Sequence, residues 1–338
     1  MKTNLFSNSL FVLLAAGIVA CTGTESKQEQ ATEESGEAPS QTTMKTLDDF
    51  GIRATNVFLY YEDLAGAADF YTQILGLEQV ADYGMARILR VAGDSYFILV
   101  DATKGMHTAE EPKTVAMALI TDQLDEWYDY LVGEGYTMKY EFKPKAESAH
   151  DGFVMADPEG YLLEFERFNA HEENKAFTPL LDKAETITNP NREGIKVPDG
   201  LGFKATVTWM YFKDMQAIQE FYEKTLGLEF IVDQGWAKVL KASTTGYIGL
   251  VDEKKGMHSF TEDKAVTVAF FIDDLDGWHD HVTTNKLFAL RSDSIGTGPE
   301  GKYRAFVGFD PEGYYLEFDR FYPHQGNTVL MHYLSPSN

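Results

Sequence analysis

From residue 52 onward, the spacing of hydrophobic positions alternates between strand and helix patterns. Residues 55–61 are β-branched and aromatic, which predicts a strand. Apolar residues then recur at helical spacing from Leu64 to Leu75, and Gly76 is placed to end that helix. Three short strands are predicted next, at 78–83, 86–91 and 95–101. This order of one strand, one helix and three strands is a βαβββ unit.

A second unit of the same order follows. Residues 115–120 form an apolar run, residues 124–131 show helical spacing, and residues 136–142 alternate between apolar and polar side chains. Two final strands flank the turn Asp157-Pro158-Glu159-Gly160, in which proline and glycine hold favoured turn positions.

Both units recur later in the chain. Lys104-Gly105-Met106-His107 returns as Lys255-Gly256-Met257-His258, and Asp157–Tyr161 returns as Asp310–Tyr314. We therefore predict an α+β protein with four βαβββ units in two homologous domains. The expected boundaries are 52–168 for domain 1, 169–202 for a connector, 203–321 for domain 2 and 322–338 for a C-terminal tail.

The N-terminus carries a different pattern. Residues 10–20 form an apolar run that is short for a membrane span, behind a positively charged start. The run ends in Ile18-Val19-Ala20-Cys21, which resembles the lipobox of bacterial lipoproteins, and Cys21 is the only cysteine. We expect a signal peptide at 1–20, lipidation at Cys21 and a flexible tether over 21–51, rich in Glu, Ser, Thr and Gln.

These features predict a protein of the bacterial cell envelope, on the periplasmic or surface side, that touches the membrane through its lipid anchor only. The alternative is a cleaved signal or a buried N-terminal helix with an incidental cysteine. The choice between inner and outer membrane stays open.

Charge and cysteine content narrow the function. The chain has 53 Asp and Glu against 29 Lys and Arg, a net charge of −24, which disfavours nucleic acid as a partner. A single cysteine excludes an internal disulfide framework and a cysteine-rich zinc site. The expected partner is a small molecule, and a homodimer is left open.

Two motifs in each copy point to a family. The spacing D-x3-A-x2-F-Y-x3-L-G-L covers Asp63–Leu77, and D-P-E-G-Y-x-x-E-F covers Asp157–Phe165 and Asp310–Phe318. This arrangement resembles the vicinal oxygen chelate superfamily, which includes glyoxalases, bleomycin-resistance proteins and extradiol dioxygenases. The resemblance implies paired βαβββ units that curl into half-open barrels around a ligand cavity. Members either chelate substrate oxygens on a divalent metal or bind a small molecule without one.

The metal positions that the resemblance implies are mostly filled by other residues. The first ligand position holds Asn56 and Val207 in the two copies, the second is matched to Ala116 and Thr267, and only the final acid is kept, as Glu164 and Glu317. Val, Ala and Thr are not adequate donors for a catalytic metal. We therefore expect no 2-His-1-carboxylate site and no cofactor.

The alternative is an atypical divalent metal site (Mn, Fe, Ni or Zn) in a lyase, isomerase or dioxygenase. Its ligands would be Glu164 or Glu317 together with His107 or His258.

Strand alternation predicts what lines the cavities. The face that carries the ligand positions also carries aromatic residues and the two glutamates. The expected ligand-binding residues are Asn56, Phe58, Tyr60, Trp209, Tyr211, Glu164 and Glu317. This composition suits a flat, neutral or cationic organic ligand. Two alternatives are that the aromatic residues only fill the barrels, and that the domains form an interaction scaffold with closed cavities.

His107 and His258 each end a Lys-Gly-Met-His loop and are the candidate acids or bases at the cavity mouths. Alternatively, they are surface or capping residues. Trp236 stands where copy one has Met85, and this marks either a specialised cavity in copy two or a packing exchange.

Overall fold

The computed structural model describes residues 45–335 apart from 146 and 192. The predicted signal peptide, Cys21 and most of the predicted tether lie outside the described residues. Within this range, none of the helices combines the length and apolar character that crossing a membrane requires.

The four predicted units are present. Unit one consists of β1 (Ile52–Tyr61), α1 (Leu64–Asp69), β2 (Glu78–Asp82), β3 (Ala86–Arg90) and β4 (Ser95–Asp101). Unit two consists of β5 (Val115–Ile120), α2 (Leu124–Gly133), β6 (Met138–Tyr140), β7 (His150–Ala156) and β8 (Leu162–Phe168).

The connector contains the short helix α3 (Thr178–Leu181). Unit three consists of β9 (Ala205–Phe212), α4 (Met215–Glu220), β10 (Glu229–Asp233), β11 (Ala237–Lys241) and β12 (Gly246–Asp252). Unit four consists of β13 (Val266–Ile272), α5 (Leu275–Asn285), β14 (Gly296–Thr297), β15 (Tyr303–Phe309) and β16 (Tyr315–Phe321), and α6 (Thr328–Leu334) follows it.

Local details differ from the prediction in three places. The end of the predicted flexible tether, Leu47–Phe50, is a short 3-10 helix whose Leu47 and Phe50 are buried. The first helix keeps α-helical geometry only to Asp69 and continues as a π-helical turn over Phe70–Ile74. The strand expected at 136–142 is reduced to Met138–Tyr140, and its pairing with β7 is irregular between those two residues.

The strands form two curled eight-stranded sheets, which confirms the α+β prediction of paired units in half-open barrels. Sheet A has the order β14-β15-β16-β13-β1-β4-β3-β2, and sheet B has the order β10-β11-β12-β9-β5-β8-β7-β6. Sheet A therefore joins unit one to unit four through an antiparallel pairing of β1 with β13, and sheet B joins units two and three through β5 and β9. Each sheet takes one unit from each copy of the repeat.

The two faces of each sheet have different roles. On β8, Phe165 packs against Trp127 of α2, with ring centroids 5.4 Å apart, and its neighbour Glu164 points to the concave side. On β16, Phe318 packs against Trp278 of α5 in the same way, with centroids 5.6 Å apart. The helices thus cover the convex faces and leave the concave faces to form the cavities, as alternation along the strands predicts.

Candidate functional site

The strand register places equivalent residues in a row across each concave face. In sheet B, Glu164 of β8 pairs with Ala118, Ala118 with Val207, and Val207 with Tyr247. In sheet A, the corresponding row is Glu317, Ala269, Asn56 and Tyr96. The neighbours of the two glutamates are therefore Ala118 and Ala269, each two residues beyond the positions matched from the sequence.

Sheet B surrounds a cavity of about 210 Å³. Its aromatic walls come from β6, β9 and the turn before β11, namely Tyr140, Trp209, Tyr211 and Trp236. Besides the two tyrosines, its ionisable groups are His150, Glu164, Glu166 and Lys255. Tyr140 and Trp236 are 50% and 42% exposed and lie at the opening, whereas Trp209 and Tyr211 are buried inside.

A glycine on the neighbouring strand leaves room for the indole ring of Trp209. Gly249 of β12 pairs with Trp209 of β9 across the sheet, and a Cβ atom at Gly249 would overlap the indole ring. The corresponding residue of sheet A is Ile98, which pairs with Phe58. The wide ring in sheet B therefore depends on the missing side chain next to it.

An ion pair lies at one side of the cavity. His150 Nδ1 of β7 is 2.6 Å from Glu166 Oε1 of β8, and Glu166 is 1% exposed. This hydrogen bond is the main cause that raises the pKa of His150 to about 9. At neutral pH the ring of His150 is therefore a protonated imidazolium. The second oxygen, Glu166 Oε2, is buried without a hydrogen-bond partner among the described residues.

Glu164 lies beside this pair but, unlike Glu166, has no ion-pair partner among the described residues. Its carboxyl group forms no hydrogen bond within the described part of the chain. Burial, and after it the nearby Glu166, raise its pKa to about 8, and His150 opposes the shift. Glu164 is therefore mostly protonated at neutral pH, with a carboxyl group that faces the cavity.

His258 stands behind Tyr211, with ring centroids 5.1 Å apart. Burial, with a smaller contribution from Lys139, lowers the pKa of His258 to about 4. Its ring is neutral at physiological pH, and His258 Nε2 has no hydrogen-bond partner in the described structure.

The acids of sheet A pair with each other. Glu317 and Asp319 lie within hydrogen-bonding reach on the same face of β16, and burial raises the pKa of both, that of Glu317 to about 7. One proton can be shared between the two carboxyl groups. Asn56 lowers the pKa of Asp319 from close by, although its two side-chain polar atoms have no well-formed hydrogen bond among the described residues.

Aromatic side chains fill the rest of the sheet A interior. Tyr83 and Tyr303 occupy the positions that Gln234 and His150 hold in sheet B, with ring centroids 5.8 Å apart. Tyr83 also stacks on Phe321 and donates a 2.6 Å hydrogen bond to Asn327. The space that is a cavity in sheet B is thus packed with rings in sheet A.

His107 belongs to this packed interior. It is 5% exposed, its Nδ1 lies 2.6 Å from Glu111 Oε2, and its ring is 4.4 Å from that of Tyr315. Burial lowers the pKa of His107, and Glu111 opposes the shift.

The structure sorts the sequence-predicted residues into two sets. Glu164, Trp209 and Tyr211 line the sheet B cavity with His258 behind them. The sheet A interior holds Asn56, Phe58, Tyr60, His107 and Glu317, and there Tyr60 Oη is 2.8 Å from Thr267 Oγ1. Each glutamate therefore shares its sheet with the histidine from the opposite copy of the repeat. Glu164 of copy one lies in sheet B with His258 of copy two, and Glu317 of copy two lies in sheet A with His107 of copy one.

Sequence reasoning missed His150 and the part played by Glu166. Alternation along β8 places Glu166 on the same face as Glu164, which was a usable signal. Alternation along one strand could not predict that His150 is the partner of Glu166. The two residues become neighbours only through the register of β7 with β8.

The residues at the family's metal positions do not fit a metal. The row in sheet B offers one carboxylate among Val, Ala and Tyr, and that in sheet A offers one carboxylate and one amide besides Ala and Tyr. A catalytic metal takes about three nitrogen or carboxylate ligands. Among the described residues, no group of three or more His, Cys, Asp or Glu is placed to hold a metal ion.

Comparisons with known proteins agree with the fold. The family model described as Glyoxalase/Bleomycin resistance protein/Dioxygenase superfamily matches residues 53–165. Glyoxalase I from Zea mays is similar in fold, with a TM-score of 0.55 and 15% identity over 84% of this chain and 95% of that chain. A putative dioxygenase from Bacillus subtilis is also similar, with a TM-score of 0.50 and 14% identity over 81% of this chain and 86% of that one.

At these identities the structural likeness shows the fold alone, and no curated protein sequence matches the chain. The motifs, the two curled sheets and the family match nevertheless agree with one another. The match to the Glyoxalase/Bleomycin resistance protein/Dioxygenase superfamily covers residues 53–165, about a third of the chain, and over this range the chain is similar to that superfamily.

Proposed function

We propose that this protein binds a small organic molecule in the cavity of sheet B. The observation that carries the proposal is the carboxyl group of Glu164, which faces an aromatic-lined cavity without a hydrogen-bond partner in the described structure. A buried polar group without a partner is costly, so a ligand that bonds to it gains affinity from relieving that cost.

The walls of the cavity support the same function. Ligand sites are concave and mostly apolar, with a few polar groups that fix the orientation of the ligand. Here four aromatic side chains enclose about 210 Å³, and the polar groups Glu164, Glu166 and His150 are gathered on strands β7 and β8. Two of the aromatic side chains stand at the opening, where they can cover a bound molecule.

Trp236 provides the test, because it is 42% exposed and its loss should leave the fold intact. The purified protein would be incubated with a bacterial metabolite extract, washed, and analysed for retained compounds by mass spectrometry. We expect Trp236→Ala to lose the compounds that the unmodified protein retains. Met85→Ala, the matched change in sheet A, should keep them. Equal retention by both variants, or equal loss, would contradict binding in sheet B.

We further propose that the protein is an exported lipoprotein anchored through Cys21. The support is the lipobox-like Ile18-Val19-Ala20 before the only cysteine. Cys21→Ala should make the protein extractable without detergent and should abolish labelling by a fatty-acid probe. Membrane partition that persists in this variant would refute the anchor.

A further inference from the structure

Resting on the proposed function, we infer that the ligand of the sheet B cavity is a planar organic cation whose N–H groups bind the carboxylate of Glu164. This inference names a class of ligand and follows from the balance of donors, acceptors and charges around Glu164.

Once Glu164 is ionised, hydrogen-bond acceptors outnumber donors on this side of the cavity. Both oxygens of Glu164 and Glu166 Oε2 have no partner in the described structure, whereas His150 Nδ1 is already committed to Glu166 Oε1. A ligand that carries N–H groups would supply the missing donors. A ligand that carries only oxygen acceptors would leave at least Glu166 Oε2 unpaired.

The charges around the site disfavour an anion. The cationic His150 is bonded to Glu166, and Lys255 is exposed at the opening. An anionic head group bound at Glu164 would therefore meet two carboxyl groups, and the only cation left for it among the lining residues would be the exposed Lys255 at the opening. The titratable groups that line the cavity around Glu164 are Glu166 on β8, His150 on β7, Tyr140 on β6, Tyr211 on β9 and Lys255 after β12.

The aromatic walls favour a flat cation. Trp209 and Trp236 line the cavity together with two tyrosines, and aromatic rings attract a cation placed over their faces. Trp209 adds a second requirement, since its buried indole N–H has no acceptor among the described residues. An oxygen or ring nitrogen of the ligand, at the end opposite its cationic group, would accept a hydrogen bond from this indole N–H.

Binding of such a cation moves one proton. Glu164 is mostly protonated at neutral pH because its pKa is about 8. When the cation binds, the carboxyl O–H bond breaks, the proton leaves to solvent, and an N–H···O ion pair takes its place. Binding of a neutral ligand retains this proton, so proton release distinguishes the two classes.

Calorimetry with three probes of one shape tests the inference: naphthylmethylamine as the cation, naphthylmethanol as the neutral form and naphthoic acid as the anion. Each is titrated into the full chain at neutral pH, in two buffers of different ionisation enthalpy. We expect the amine to bind at least about tenfold more tightly than the alcohol. The amine alone should release close to one proton. Glu164→Gln should remove both the preference and the proton release, and the matched Glu317→Gln should change neither.

The possible failures are distinct. If the alcohol or the acid binds as tightly as the amine and Trp236→Ala weakens that binding, the cavity is a ligand site and the cationic class is wrong. If the amine keeps its preference in Glu164→Gln, the role of Glu164 is wrong. If none of the three probes binds, the inference is overturned, and the metabolite-retention experiment with Trp236→Ala and Met85→Ala decides the proposed binding function by itself.

Discussion

Sheet A and sheet B carry the same row of positions on their concave faces, but their interiors differ. In sheet A, Glu317 is paired with Asp319, and the rings of Tyr83 and Tyr303 occupy the space in front of them. In sheet B, the corresponding Glu164 has no partner in the described structure and faces about 210 Å³ of open volume. Two βαβββ pairs of the same topology can therefore hold either a packed core or a cavity.

A few exchanges of side-chain volume account for the difference. His150 replaces Tyr303, Gln234 replaces Tyr83, and Gly249 replaces Ile98 when sheet B is compared with sheet A. The first two open the space, and the third lets Trp209 lie against the strand. In this fold, the sheet sets where the side chains of the concave face stand. The sizes of a few of these side chains then decide whether a ligand has room. The following experiments test this comparison, in order of decreasing expected effect.

Ile98→Ala should have the largest effect, because it removes buried volume from the packed interior of sheet A. Ile98 is 2% exposed, and deletions of this size leave a cavity that costs about 3 kcal/mol of the free energy of unfolding. Urea denaturation would measure the loss. A loss below about 1 kcal/mol would show that the sheet A interior collapses or hydrates easily, and so is not a tightly packed core.

His150→Phe should cost about 2 kcal/mol at neutral pH, because it leaves the buried Glu166 without its partner. The partial exposure of His150 keeps this figure below that of a fully buried pair. The folded-state pKa of His150 is about 9, above the ordinary 6.5, so the ion pair stabilises fully below pH 6.5 and its contribution is lost as the pH rises through about 9.

Denaturation curves at several pH values would therefore show the two proteins converging above pH 9. Tyr303→Phe, the matched change in sheet A, keeps the ring and should change stability by less than about 0.5 kcal/mol. A difference between unmodified protein and His150→Phe that does not depend on pH would contradict the ion pair.

Glu164→Gln should raise the stability of the unliganded protein above pH 8 by about 1 kcal/mol. The folded-state pKa of Glu164 is raised from 4.5 to about 8, so its contribution is present at low pH and is lost as the pH rises through about 8. Glutamine avoids that loss because it never ionises. Melting curves against pH would test this, and a variant less stable than the unmodified protein at high pH would mean that Glu164 is a structural residue.

Glu111→Ala should have the smallest effect on stability, about 0.5–1 kcal/mol, the size of one hydrogen bond. It should also lower the pKa of His107 further, because Glu111 is the main group that opposes the effect of burial. NMR titration of the histidine rings would measure this. Glu262→Ala is the matched control, since the Glu262 side chain is 85% exposed and bonds to Lys213, and it should leave His258 unchanged.

The local pattern was sufficient to predict the elements. The strands at 95–101 and 115–120 have the predicted bounds, and the glutamates lie on the concave faces, because two-residue and 3.6-residue periods report which side of an element is buried. The motifs around Asp63 and Asp157 were sufficient to predict the superfamily whose model matches residues 53–165.

The pairing of the units was not accessible from the sequence. Periodicity shows that β1 has a buried face but does not choose β13 as its neighbour, and an internal repeat makes each unit compatible with more than one partner. The ion pair of His150 with Glu166 was missed for the same reason, since it depends on register between strands. The cavity itself follows from differences in side-chain volume, such as Gly249 against Ile98, which acquire meaning only when the cross-strand neighbour is known.

The exchange of units between the two copies also sets an order of events during synthesis. Sheet B is built from residues 115–252, which are continuous along the chain, so it can close before unit four emerges where the chain folds. Unit one emerges first, yet it must wait for Ala269 and its neighbours before β1 gains its partner strand. During that interval the edge of β1 is open to wrong pairing, and unit two of the same chain, which resembles unit four, is the nearest competitor. Early closure of sheet B would occupy that competitor and leave unit one free for the correct partner.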